Sequence, residues 1–141
     1  MKSVTTYLNF DGNAREAMTF YHQCLGGDFM VQSFAEAGTP GPPGAEDRVV
    51  HARIARGAVV IMASDTMPGM PFQAGNNVHL CVECDSPSEQ DQLFSSLGEG
   101  GKVAMPLQDT FWGARFGMLT DRYGIGWMLN YTKRAPGTGN G

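Results

Sequence analysis

Two stretches of alternating side chains constrain this chain most, because each is followed by the same succession of elements. Val4 to Phe10 sets Val4, Thr6, Leu8 and Phe10 against Thr5, Tyr7 and Asn9. Val78 to Cys84 sets Val78, Leu80, Val82 and Cys84 against His79, Cys81 and Glu83. A period of two is that of a half-buried strand. An aspartate closes each stretch, Asp11 and Asp85, and a phenylalanine follows nine residues later in both, Phe20 and Phe94. A helix is expected next in each case. Ala14 to Leu25 carries Ala14, Ala17, Met18, Tyr21 and Leu25 at helical spacing, with Asn13 or Asp11 placed to cap it and Gly26-Gly27 to end it. Asp85-Ser86-Pro87 opens the second helix, which runs to Leu97 and stops at Gly98.

Three strand-like stretches then follow in each half. In the first they are Asp28 to Ala35, Arg48 to Arg56 and Ala58 to Ser64; in the second, Lys102 to Leu107, Arg115 to Thr120 and Ile125 to Tyr131. Within Arg48 to Arg56, Val50, Ala52 and Ile54 form the apolar face, and His51 and Arg53 the other. Ala58 to Ser64 is nearly all apolar and reads as buried on both faces. The plan is therefore β-α-β-β-β twice, an α+β chain with a weak internal repeat. Glu36 to Glu46 (EAGTPGPPGAE) has no apolar period and reads as a long loop. Asp65 to Gly75 is a loop between the halves. We expect one domain over 1–132, built of modules 5–65 and 76–131, with a flexible tail at 133–141.

Charge and composition exclude several classes. The net charge is −4, and the 10 Lys and Arg residues are scattered, which argues against a nucleic-acid-binding face. No stretch approaches the ~18 apolar residues of a membrane span. MKSVTTYLNF lacks an apolar signal core, so the expectation is a cytoplasmic protein with its three cysteines reduced. Cys81 and Cys84 alternate onto opposite faces of a strand, which leaves no shared zinc or easy disulfide.

The same alternation nominates a site. The set opposite the apolar residues includes Thr5, Tyr7, Asn9, His51, Arg53, Val60, Met62, Ser64, His79, Cys81, Glu83, Met128 and Asn130, with Trp127 and Leu129 underneath. Trp112, beside Phe111, is placed to gate such a surface or to pack at a protein contact. Several polar groups converging on one face mark a binding site better than any lone residue. Glu83 is the candidate proton-transfer group. His79 and Glu83 share a face, but four residues of strand separate their α carbons by roughly 13 Å, too far for one metal ion. His22, on the first helix, reads as a surface residue.

Three stretches carry a family resemblance: YLNFDGNAREAMTFY, VVHARIARGAVVIMASD and PLQDTFWGARFGMLTDRYGIGWMLNY. Together they resemble the PhnB-like branch of the vicinal oxygen chelate superfamily, the glyoxalase, bleomycin-resistance and extradiol-dioxygenase group. The resemblance implies two βαβββ modules forming an open, curved eight-stranded half-barrel with helices outside, a concave site and a homodimer. In metal-binding relatives four His, Gln or Glu ligands come from the first and fourth strands of each half. Here His79 falls near one such position. The others fall among Thr5, Thr6 and Tyr7, at Ile61 or Met62, and at Met128, and thioether is a poor ligand for a hard divalent ion. Some relatives carry a demethylubiquinone-methyltransferase label. This chain has no glycine-rich βα turn or acidic ribose-binding residue for a methyl donor, so that activity is not expected.

Three readings follow. The preferred one is a protein that binds a small apolar or aromatic molecule in the groove, lined by Tyr7, Asn9, His51, Arg53, Met62, His79, Trp112 and Met128, without the full family metal centre. The alternative is a divalent-metal enzyme (Zn, Ni, Mn or Fe) of lyase, isomerase or transferase type, with His51 and His79 as ligands. The third is a structural dimer with a vestigial groove, which His51, Arg53 and Glu83 argue against.

Overall fold

Alternating strands and two amphipathic helices assemble as the repeat predicts. The computed structural model describes residues 1–133 and divides into two compact units, Met1–Gln73 and a second beginning at Ala74. Of the expected tail at 133–141, residues 134–141 lie outside the described residues. The first unit runs β1 (Thr6–Phe10), α1 (Ala14–Leu25), β2 (Asp28–Ser33), a short α2 (Phe34–Ala37), β3 (Val49–Arg56) and β4 (Val59–Asp65). The second runs β5 (His79–Glu83), α3 (Pro87–Gly98), β6 (Lys102–Asp109), β7 (Ala114–Thr120) and β8 (Gly126–Thr132). Apart from α2, both units are βαβββ, and the chain is α+β.

Each unit carries one four-stranded sheet of the same plan, β1-β4-β3-β2 in the first and β5-β8-β7-β6 in the second. The first strand of each unit pairs in parallel with the last, and the remaining pairs are antiparallel. In the first unit α1 packs on β3 and β4. Ala14, Ala17, Met18, Tyr21 and Leu25 are buried there, as are Ala52, Ile54, Ile61 and Ala63. In the second unit α3 packs on β7 and β8, over Leu119, Trp127 and Leu129. Gly117 leaves room for Phe94: a Cβ on that glycine would lie 2.8 Å from the ring. Gln90, fully buried in α3, donates to the carbonyls of Arg115 and Leu129, tying the helix to both strands.

Four expectations need correction. β2 stops at Ser33 rather than Ala35, because Ser33 and Glu36 form a capping box that starts α2 within the supposed strand and carries it into the supposed loop. Val50 is not the core residue of β3. A bulge sets Ser33 opposite Val49 and Gln32 opposite His51, so Val49 is buried and Val50 only partly so. β4 is not buried on both faces: Ile61, Ala63 and Asp65 are covered, whereas Val60, Met62 and Ser64 on the other face are only half-buried. Val4 and Val78 precede their strands and are exposed.

The cap of α1 also comes from elsewhere. Neither Asp11 nor Asn13 supplies it, Asn13 making no side-chain cap bond. The buried carboxylate of Asp65 accepts from the backbone N–H of Gly12, Ala14 and Val49, each at 2.9 Å. It thereby joins the end of β4 to the start of α1 and of β3.

Candidate functional site

The face of the first sheet turned away from α1 is set by cross-strand register. Tyr7 pairs with Met62, Met62 with Arg53, and Arg53 with Met30. A single row thus crosses all four strands as ring, thioether, guanidinium, thioether. The next row brings Asn9 beside Ser64 and His51 beside Gln32. Tyr7 and His51 meet: the phenol oxygen lies 3.3 Å from Nδ1, with ring centroids 6.0 Å apart, and the imidazole tautomer decides which group donates. Tyr7, Met30 and Arg53 are exposed, and His51 and Met62 partly so.

The corresponding face of the second sheet has different chemistry. Cys81 pairs with Met128, Met128 with Met118, and Met118 with Met105, so four sulfur side chains form one row. His79 pairs with Gly126, and its ring lies so close that a Cβ there would sit 2.6 Å from its Cδ2. Glu83 accepts from Asn130 Nδ2 at 2.9 Å. Burial, then the charge of Glu83, raises the Cys81 thiol. Burial, then the charges of Glu89, Glu83 and Asp85, pushes the Cys84 thiol up to about 11. Both are protonated at neutral pH and poorly suited to act as thiolate nucleophiles. Trp112 stands off the strands, in the turn between β6 and β7. It makes an edge-on pair with Phe111, and both rings are exposed.

Of the residues nominated from sequence, Tyr7, Asn9, His51, Arg53 and Met62 share the first face. His79, Cys81, Glu83, Met128 and Asn130 share the second. Met30, Gln32, Met105 and Met118 were missed. The alternation in β2 (Asp28, Met30 and Gln32 exposed) was the available signal for the first two, but assigning them needed the pairing partners. His22 is not idle surface: its Nε2 bonds the Gly27 carbonyl at 2.9 Å and its ring stacks on Phe29.

Other features serve the scaffold. A cleft of about 480 Å³ opens among Arg15, Glu36, Asp47 and Asp65. Asp65 is engaged with three backbone N–H groups, and Glu36 with Arg15 and the α2 cap. Within either unit, among the described residues, no three His, Cys, Asp or Glu side chains form a group able to hold a metal ion. Among the same residues no helix is long and apolar enough to cross a membrane.

Comparison with known proteins agrees with this architecture. The family model for 3-demethylubiquinone-9 3-methyltransferase matches residues 2–130. Protein PA1353 from Pseudomonas aeruginosa is 41% identical, with a TM-score of 0.83 over 93% of this chain and 98% of that one. A PhnB protein from Bacillus cereus is 30% identical, with a TM-score of 0.76 over 92% and 99%. A glyoxalase/bleomycin resistance protein/dioxygenase family enzyme from Burkholderia phytofirmans shares the fold, at 17% identity and a TM-score of 0.58 over 90% and 97%. The chain belongs to the PhnB-like 3-demethylubiquinone-9 3-methyltransferase family.

Proposed function

We propose that the protein binds a small apolar or aromatic molecule on the sheet face turned away from α1, without a family-type metal centre. One observation carries this reading: the row Tyr7–Met62–Arg53–Met30, which sets an aromatic ring and two thioethers side by side and in reach of solvent. Thioethers adapt to irregular ligand shapes and make favourable sulfur–aromatic contacts, worth about 0.3–1.5 kcal/mol each. The row Cys81–Met128–Met118–Met105 of the second sheet also offers thioethers, half-buried and with no aromatic ring among them.

The donor set supports the metal-free part. Thr6 lies beside Ile61, Tyr7 beside Met62, and Met128 beside Cys81, whose thiol is held protonated. These pairs offer a hard divalent ion neither imidazole nor carboxylate. His79, at the surviving position, has glycine as its lateral partner. A methyl-transfer reading gains no support either. The turns after β1 and β5, Asp11-Gly12-Asn13 and Asp85-Ser86-Pro87, are not the glycine-rich βα turn of a methyl-donor site.

Titration with 2-naphthamide, a neutral aromatic probe, tests the reading by calorimetry and by chemical-shift changes. Saturable binding is expected, insensitive to chelator and weakened about fivefold or more by Tyr7→Ala or Met62→Ala. Binding that is absent, or unmoved by either substitution, would overturn it.

A further inference from the structure

We infer that the ligand of this face is a monoanion, a carboxylate on an apolar or aromatic body, and that Arg53 is its anchor. The inference rests on the binding role proposed above and adds the charge and the contact. Arg53 stands apart from the other described arginines. Arg15, Arg48, Arg115 and Arg122 form ion pairs with Glu36, Asp11, Asp91 and Glu99, and Arg56 donates to the Leu25 carbonyl. Arg53 does neither, and its cross-strand neighbours are the thioethers of Met62 and Met30. The strand carboxylate on the same face, Asp28, pairs with Ala55 one row away and forms no ion pair with Arg53. In a chain of net charge −4 whose other described arginines are engaged, an uncompensated guanidinium amid apolar side chains is a place for an external anion.

The surrounding groups narrow the anion. A guanidinium fork matches the two oxygens of a carboxylate. His51 and Tyr7, already in contact, add further hydrogen-bonding groups on the same face. A dianionic phosphonate calls for clustered cations, and Arg53 is the only Lys or Arg among the strand residues of this face. The ligand's body then lies over Met62, Met30 and the Tyr7 ring.

Paired titrations with 2-naphthoate and 2-naphthamide, at pH 7 and low salt, test this. Wild type is expected to hold the carboxylate about tenfold tighter than the amide, with the difference shrinking as salt is added. Arg53→Gln should bring the two to equal affinity, the carboxylate losing about tenfold more than the amide. Arg53→Lys, which keeps the charge but not the fork, should restore part of the difference. Equal affinities in wild type, or a carboxylate preference that survives Arg53→Gln, would overturn the anion inference and leave the apolar face standing. Failure of both probes to bind would overturn both.

Discussion

Asp65 carries more structure than any other single side chain in the first unit. It is 4% exposed and receives three backbone N–H groups, two from the β1–α1 turn and one from the start of β3. A buried donor left without its acceptor costs about 1–3 kcal/mol. Asp65→Ala strands all three, so urea unfolding should show a loss of about 3 kcal/mol or more. Asp65→Asn keeps one acceptor oxygen but turns an amide donor toward another N–H, and should lie between the two. If Asp65→Ala costs under about 1 kcal/mol, water replaces the carboxylate and the clamp is incidental. From sequence, Asp65 reads only as the first residue of a loop. Its partners are 51–53 and 16 residues away, and side-chain alternation says nothing about such closures. Tyr7, His51 and Arg53 were legible because strand alternation is local, yet the Tyr7–His51 contact spans 44 residues and depends on β1 and β3 both flanking β4.

Among the elements, α2 was hidden across the boundary between a supposed strand and a supposed loop. Its four residues hold through a capping box: the Ser33 hydroxyl accepts from the Glu36 N–H, and the Glu36 carboxylate accepts from the Ser33 N–H at 2.8 Å. The Ser33 N–H, then the Arg15 guanidinium, holds the Glu36 carboxyl below its ordinary 4.5. Because the folded state binds this proton less readily than the unfolded chain, the contribution is complete above about pH 4.5. It is lost as pH falls through the lower folded value. Unfolding midpoints of wild type should therefore fall toward those of Glu36→Gln as the pH drops from 6 to 3. A constant gap across that range would show that the carboxylate's charge is irrelevant to the cap. The β3 bulge has the same lesson. One extra residue at Val50 exchanges which valine is buried, and a run of two valines gives alternation no means of choosing between them.

Across the whole chain, one strand plan is used twice with different side chains on it. The order of elements was readable because helical and strand periods differ. The face chemistry was readable only in part, since a row such as Cys81–Met128–Met118–Met105 exists only once register is fixed. Register also bears on the metal-free reading proposed above. His51 has Gln32 as its lateral partner on β2, and its Nδ1 is engaged with Tyr7. His79 lies against Gly126, and Glu83 is tied to Asn130. Protein purified without chelator or an affinity-tag metal should therefore contain well under one equivalent of zinc, nickel, manganese or iron. A ligand present at 100 times its dissociation constant stabilises a folded chain by about 2.7 kcal/mol. For a chain of this size that is a melting shift of several degrees, on the order of 2–4 °C per kcal/mol. Each ion added at 100 µM should leave the melting temperature unmoved. The result that would reverse this is a stoichiometric metal lost in His79→Ala or His51→Ala, together with a shift of that size. Such a pair of findings would make the histidines ligands and return the chain to metal-assisted chemistry; a shift that survives both substitutions would instead place the ion elsewhere and leave the binding face as described.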